Sequence, residues 1–550
     1  MYRNWLLVLV LLFSFTIRIY KITSLPPALF SDEVDAGYQA LVFNNSSTDY
    51  FGNQFPVHFH SFSDWRTSLQ IYSIALVQKI VGTSALNLSI RLPSAIYGTI
   101  SVYIFYLLLS TQFSGNIPLL GSLLLAISPW HIIYSRTGFE VSGMFLFILL
   151  GILFWQKFII SSHPKYLYLT VFSFCLTPYF YSTAKLFIII IAICILIIWF
   201  PQIIKIKAIP LIISIFLGLL LLLPLISDTL ASRAGFRFSY ISIFTTPHRE
   251  QVTDSLRYED VLLNHPQQIG LATPPTSYLF HNKYQLVWQK FVENYFSAYS
   301  SQFLFIKGDQ NLRQGLGERG LLYYLDFFLI PLGIISLFIS KNKNRLSVFF
   351  LLILLTAPIP FALTRDSDSP HATRLLLMLP SLIYFSFLGL KTILQKSRIF
   401  FIICLSILTL NFITTSHYYH YHYPQISARS WHAGMQSAVE ASLALPPANI
   451  YFSSKYEPFL PFFLLYSHYL PKDPNIQHHL TSVSNQFFDG QVLDNQYYFG
   501  NINWHSVPPT SNNLFVIPSQ ELTSATGYSI KTKIAKVYQN SEDFYVLSQN

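Results

Sequence analysis

Charge is what this sequence lacks most. Asp, Glu, Lys and Arg make up 11% of its 550 residues, against roughly 25% in an ordinary soluble domain. With 52% hydrophobic residues and a mean hydropathy of +0.42, the chain folded alone in water would expose a large apolar surface. That excludes a soluble enzyme, a disordered protein and a fibrous repeat, and makes the lipid bilayer the first partner. Cysteine is scarce too. Cys175, Cys194 and Cys404 each lie inside an apolar run, so neither a disulfide framework nor a Cys/His zinc spacing follows. The 35 Lys+Arg exceed the 25 Asp+Glu by ten. Most of that excess sits in short loops instead of on one soluble face, which excludes nucleic acid as a partner.

What the chain has instead is long apolar runs. A bilayer-crossing helix needs about 20 such residues. Runs near 5–22, 92–111, 116–133, 139–160, 166–184, 186–200, 208–226, 321–340, 346–363, 374–391 and 399–416 predict about eleven spans. The first run reaches Arg18 and Lys21 without a small-residue cleavage site, so it reads as a retained anchor. Short loops bearing Arg3, Lys157, Lys165, Lys205, Lys207, Lys341, Lys343, Arg345, Lys391, Lys396 and Arg398 carry no acid beside them. The positive-inside rule makes that side cytoplasmic. An odd span count then puts the amino terminus inside and the carboxyl terminus outside, in a multi-pass protein of the cell membrane.

Three long segments are expected outside: 23–91, 227–320 and the tail from 417. Asn449–Ser454 and Asn513–Pro518 read as strands, 427–445 as a helix, and 528–547 as alternating strand with a turn near Asn540. The expected organisation is an α-helical polytopic domain, 1–416, followed by a small extracytoplasmic α/β domain, 417–550.

The chemistry concentrates in the outer loops. Asp32, Glu33 and Asp35 follow Pro26-Pro27 at the end of the first span, and carboxylates beside the bilayer usually serve a site. Neighbours on a helix diverge by about 100°, so Asp32 and Glu33 cannot address one atom. One is free to act as a general base while the other binds acceptor or holds the loop. The plainer alternative is helix capping by Ser31 or Asp32. In the second outer loop Arg136 and Glu140 are four apart, the spacing of a local ion pair; otherwise Glu140 faces Asp32 across a shared cavity. Arg66, Arg91, Lys185, His371 and Arg374 fall at the same interface. Singly they read as snorkelling side chains; converging, they make an anion site. His58 and His60 supply only two imidazoles, too few for a metal site.

Asp32-Glu33 after the first span, Arg136 and Glu140 in the second outer loop, and the Arg91-Leu92-Pro93 entry to the next span form a recognisable pattern. It resembles the membrane-embedded GT-C glycosyltransferases that use lipid-linked sugars, relatives of the protein O-mannosyltransferases and the lipid A aminoarabinose transferases. The resemblance covers about 1–416, most specifically 25–140. It implies a GT-C-like fold, Asp32 as catalytic aspartate with Glu33 beside it, and Glu140 as the second acid. Arg66 matches a basic position within a Lys-Pro-Pro-Leu-like stretch, here without its prolines, and Arg91 the arginine opening the second span. Segment 303–320 looks like a stretch of bacterial members that closes the site. The Trp-Trp-Asp-Tyr-Gly motif of oligosaccharyltransferases is absent.

The donor implied by the resemblance is a monosaccharide on a polyprenyl phosphate. The acceptor (protein, glycolipid or polysaccharide) is unspecified. Asp32 would take the acceptor proton while Arg66, Arg91, Arg136, Lys185, His371 and Arg374 serve the donor phosphate and lipid, in an inverting displacement. No metal is required, and a divalent ion on Asp32 and Glu140 is the open alternative. The competing classes are a transporter or flippase of lipid-linked saccharides and a non-catalytic envelope assembly protein.

Overall fold

The computed structural model describes residues 2–62, 64–231, 241–245, 249–264, 273, 275–340, 344–365, 369–446, 449–506 and 513–549. Lys341, Lys343 and the acids of 366–368 lie outside the described residues.

Each of the eleven apolar runs is occupied by helix. The first five are α1 (Tyr2–Ile19), α4 (Leu86–Ser110), α5 (Ile117–Ile127) continuing into α6 (Pro129–Tyr134), α7 (Val141–Ser161) and α8 (Pro164–Phe180). They are followed by α9 (Ala184–Ile203), α10 (Ala208–Ala231), α11 (Asp326–Ile339), α12 (Arg345–Thr356), α13 (Leu379–Lys396) and α14 (Arg398–His417). Among the described residues seven helices are long and apolar enough to cross a membrane, with Trp5–Ile19, Ile117–Ile127 and Asp326–Ile339 among the shorter apolar ones. The shortening has local causes. The 116–133 run breaks where Ser128 leaves helical geometry at ψ 124° and Pro129 starts a new turn, because a proline disfavours helix in the residue before it.

Helices α11 and α13 meet backbone to backbone. A Cβ on Gly333 would lie 2.0 Å from the Phe385 carbonyl oxygen, and one on Gly389 2.1 Å from that of Leu329. Small residues permit this close approach where apolar burial gives no drive for helices to associate.

The segment between α1 and α4 is more ordered than its sequence announces. It holds α2 (Ser31–Ser46), an antiparallel hairpin of β1 (His58–His60) and β2 (Trp65–Thr67), and α3 (Ser68–Val81). The tail forms a seven-stranded sheet ordered β4-β5-β6-β3-β7-β9-β8. These strands are β3 (Asn449–Ser453), β4 (Leu480–Ser484), β5 (Phe488–Leu493), β6 (Tyr497–Ile502), β7 (Asn513–Pro518), β8 (Tyr528–Ile534) and β9 (Phe544–Gln549). The central strand β3 runs parallel to β6 and β7. Strand periodicity sends Ile450, Phe452, Leu514, Val516, Phe544 and Val546 into one core and Tyr451, Phe515, Ile517, Tyr545 and Leu547 into another. The first core is shared with α2 and α3 through Val34, Tyr38, Leu41, Ile71 and Ile74, and with the helix Leu460–Tyr466. The tail therefore packs on the helix that carries Asp32. The predicted 427–445 helix is confined to Met435–Leu443, because His432 and Gly434 take positive φ just before it.

Candidate active site

Phe30, not Ser31 or Asp32, caps α2, and the capping carboxylate is that of Glu33, which accepts from the Phe30 amide at 3.1 Å. Asp32 is thus spared that duty. Its side chain is 48% exposed and accepts from Arg66 Nη2 at 2.8 Å. Arg66, delivered by β2, also pairs through Nε with Asp35. Asp35 is held in turn by Tyr50 Oη at 2.7 Å and Ser61 Oγ at 3.0 Å. Burial works against the Arg66 charge, but Asp32, Asp35 and Glu140 outweigh it and hold the guanidinium above its ordinary range.

Glu140 immediately precedes α7 and shares a small polar cavity with Asp32, Trp65, Arg66, Gln70 and Ser182. Trp65, Glu140 and Ser182 also line a neighbouring cavity of about 370 Å³, whose other walls include His58, Lys185 and Arg374. Five of the residues named from the sequence (Asp32, Arg66, Glu140, Lys185 and Arg374) therefore border two adjoining cavities that have Trp65, Glu140 and Ser182 as common walls. The smaller gathers Asp32 and Glu140 around Arg66, and the larger adds Lys185 and Arg374.

The others lie elsewhere. Glu33 and Arg91 form a fully buried pair, Nε to Oε1 at 2.9 Å and Nη2 to Oε2 at 3.0 Å. Glu33 also accepts from the Gly138 amide at 2.6 Å, and Arg91 donates to the carbonyls of Ile22, Pro26 and Ala28. The pair ties α2, α4 and the turn before α7 together. Arg136 does not turn to Glu140: its guanidinium reaches the carbonyls of Ile17, Arg18, Tyr20 and Leu25 and Tyr419 Oη. It finishes the open carboxyl end of α1 and lines a separate apolar crevice of about 280 Å³ with Ile17, Ile132, Phe412 and Tyr419. His371 meets Gln314 at 3.2 Å, and the Ala372 amide donates to Asp309 at 2.8 Å, so segment 303–320 is stitched to the stretch leading to Arg374. Its Arg313 stacks 4.0 Å over the ring of Phe30.

Asp228, His432 and Glu457 were not read from the sequence. His58 and His60 do not act together: His60 stacks on Trp65 at 4.3 Å, while His58 pairs with Asp228 at the end of α10. The tail contributes His432, whose ring lies 5.1 Å from that of Phe30 and whose Nε2 is 3.8 Å from Glu457. No spacing rule connects such positions; only the fold does. Among the described residues no group of three or more His, Cys, Asp or Glu is arranged to hold a metal ion.

Residues 68–227 match the family model described as dolichyl-phosphate-mannose-protein mannosyltransferase. No curated protein matches the sequence. Among solved structures, ArnT from Cupriavidus metallidurans bound to undecaprenyl phosphate is similar with a TM-score of 0.52, at 9% identity over 99% of this chain and 97% of that one. The archaeal oligosaccharyltransferase AglB from Archaeoglobus fulgidus, in complex with an inhibitory peptide and a dolichol-phosphate, gives a TM-score of 0.48 at 13% identity over 86% of this chain. This chain spans 64% of the length of that oligosaccharyltransferase. The likeness to GT-C glycosyltransferases expected from the sequence is met by the family model and by the fold.

Proposed function

We propose that this chain, a multi-pass membrane protein with the GT-C glycosyltransferase fold, moves a monosaccharide from a polyprenyl phosphate to an acceptor hydroxyl on the extracytoplasmic face. The observation that carries the reading is the pair of adjoining cavities, one in which Asp32 and Glu140 flank Arg66 and the other bordered by Lys185 and Arg374, with Glu140 in the wall of both. Asp32 accepts the proton of the acceptor hydroxyl as its oxygen attacks the anomeric carbon. The bond from that carbon to the phosphate oxygen breaks, its electron pair leaves with the phosphate, and the anomeric centre inverts. Lys185 and Arg374 stabilise the negative charge that grows there. Arg66 holds Asp32 in place, and Glu33, Arg91 and Arg136 keep α1, α2 and α4 in register around it. In the same reading 1–416 is the transferring unit, 417–550 faces outside, the amino terminus is cytoplasmic and the membrane is the cell membrane.

Purified full-length protein given a polyprenyl phosphate bearing a labelled hexose should release label to an acceptor or to water, and Asp32→Asn should not. Label that crosses vesicles with its phosphate bond intact would instead identify a flippase and overturn the proposal.

A further inference from the structure

His58 stands in the wall of the larger cavity and is 2% exposed. Its Nδ1 pairs with Asp228 Oδ2. A carboxylate only accepts, so Nδ1 carries the hydrogen. That fixes Nε2 as the free ring position, and Nε2 is buried with no hydrogen-bond partner among the described residues. A buried polar atom left unpaired is costly, and one beside a cavity calls for a partner that the protein itself does not supply. The adjacent residue on α10, Thr229, accepts from Lys185 Nζ at 3.0 Å. One turn of α10 thus braces two bases against the same cavity, which Arg374 also borders.

We propose that His58 is a third ligand of the donor phosphate and takes up a proton as negative charge arrives beside it. The inference rests on the polyprenyl-phosphate reading above and adds a residue and a proton to it. The groups acting on or facing the imidazole are Asp228 on α10, Lys185 on α9, Asp64 in the turn of the hairpin, and Glu140 and Arg374 across the cavity. Burial, helped by Lys185, holds His58 below its ordinary range despite Asp228 and Asp64, so the ring is neutral and Nε2 bears a lone pair. A phosphate oxygen cannot approach that lone pair favourably. A proton from solvent on Nε2 turns it into a donor, with Asp228 stabilising the resulting imidazolium.

The donor is a phosphodiester with one negative charge, whereas the polyprenyl phosphate left after sugar transfer is a monoester that can carry two. The imidazolium therefore favours the leaving group over the donor, and the proton returns to solvent when the lipid departs.

The test is the affinity of full-length protein for undecaprenyl phosphate, measured from about pH 6 to about pH 8 with wild type, His58→Gln and Asp228→Asn. The phosphate's own titration is common to all three, so the ratio to wild type is the readout. Wild type should bind about tenfold more tightly than His58→Gln near pH 6, an advantage that shrinks toward pH 8. Calorimetry in buffers of different ionisation heat should show proton uptake that His58→Gln reduces. Asp228→Asn, which keeps the ring but removes its supporting charge, should lose the same pH-dependent part and serves if His58→Gln does not fold. A ratio that is flat with pH, or equal affinities throughout, overturns the role of His58 while leaving the donor reading intact. Absence of undecaprenyl phosphate binding by wild type overturns the donor reading and this inference with it.

Discussion

Arg91 Nε donates to Glu33 Oε1 at 2.9 Å, and neither side chain has any exposure. Asp32, one residue before Glu33, is half exposed and paired with Arg66 instead. Two adjacent acids at the start of one helix thus have opposite assignments, because side chains at successive helical positions leave the axis in different directions. Removing one member of a fully buried pair strands the other charge, at a cost of about 3–5 kcal/mol. Glu33→Ala and Arg91→Ala should therefore lower the unfolding midpoint in detergent sharply. Asp32→Asn should leave it nearly unchanged; equal losses in all three would dissolve the distinction.

Activity should divide the same residues the other way. Asp32→Asn is expected to reduce sugar transfer by about 10²- to 10⁴-fold, the usual contribution of a positioned general base, in protein that still inserts and purifies normally. Retention of most of the wild-type rate by that variant would remove Asp32 from the proton-accepting role.

The helical runs were readable in the sequence because twenty apolar residues in a row have few alternatives. Strands β3 and β7 were readable because alternate residues face two different cores. The buried pairing of Glu33 with Arg91 was not, since it joins positions 58 residues apart. Nor was the attachment of the tail to α2, which depends on which surfaces the folded sheet presents. Asp32, Arg66, Glu140, Lys185 and Arg374 could be named as interface charges, yet sequence could not separate them from Arg136, which spends its donors on the end of α1. His58 illustrates the limit best. As one of two histidines on a short strand it suggests a poor metal site, and its partner Asp228 lies 170 residues away.

Lys185 and Arg374 offer a separate check on the larger cavity. A hydrogen bond to a charged group contributes about 1.5–3 kcal/mol, so Lys185→Ala or Arg374→Ala should weaken undecaprenyl phosphate binding by about 10- to 100-fold. Arg136→Ala, which borders the other crevice, should act mainly on stability. Binding titrations beside unfolding curves separate the two patterns, and a larger affinity loss at Arg136 than at Lys185 would move the phosphate to the apolar crevice.

Asp309 links the segment carrying Arg313 to the one carrying Arg374, accepting from the amides of Asn311 and Ala372 at 2.8 Å each. Burial pushes its carboxyl up to about 6, against the pull of those amides and of Arg313 and Arg374. A raised carboxyl is protonated in the folded chain where the unfolded chain has already lost its proton. Between about pH 4 and about pH 6 unfolding therefore releases a proton, and this residue's contribution to stability falls as pH rises through that window. The whole effect is at most about 3 kcal/mol and is complete above about pH 6. Asp309→Asn cannot ionise, so its unfolding midpoint should lack that decline, and wild type should gain on the variant as pH is lowered. Midpoints of the two proteins that stay parallel from about pH 4 to about pH 7 would show that Asp309 ionises as it does in water, and that the junction between the two segments is wetter than its packing implies.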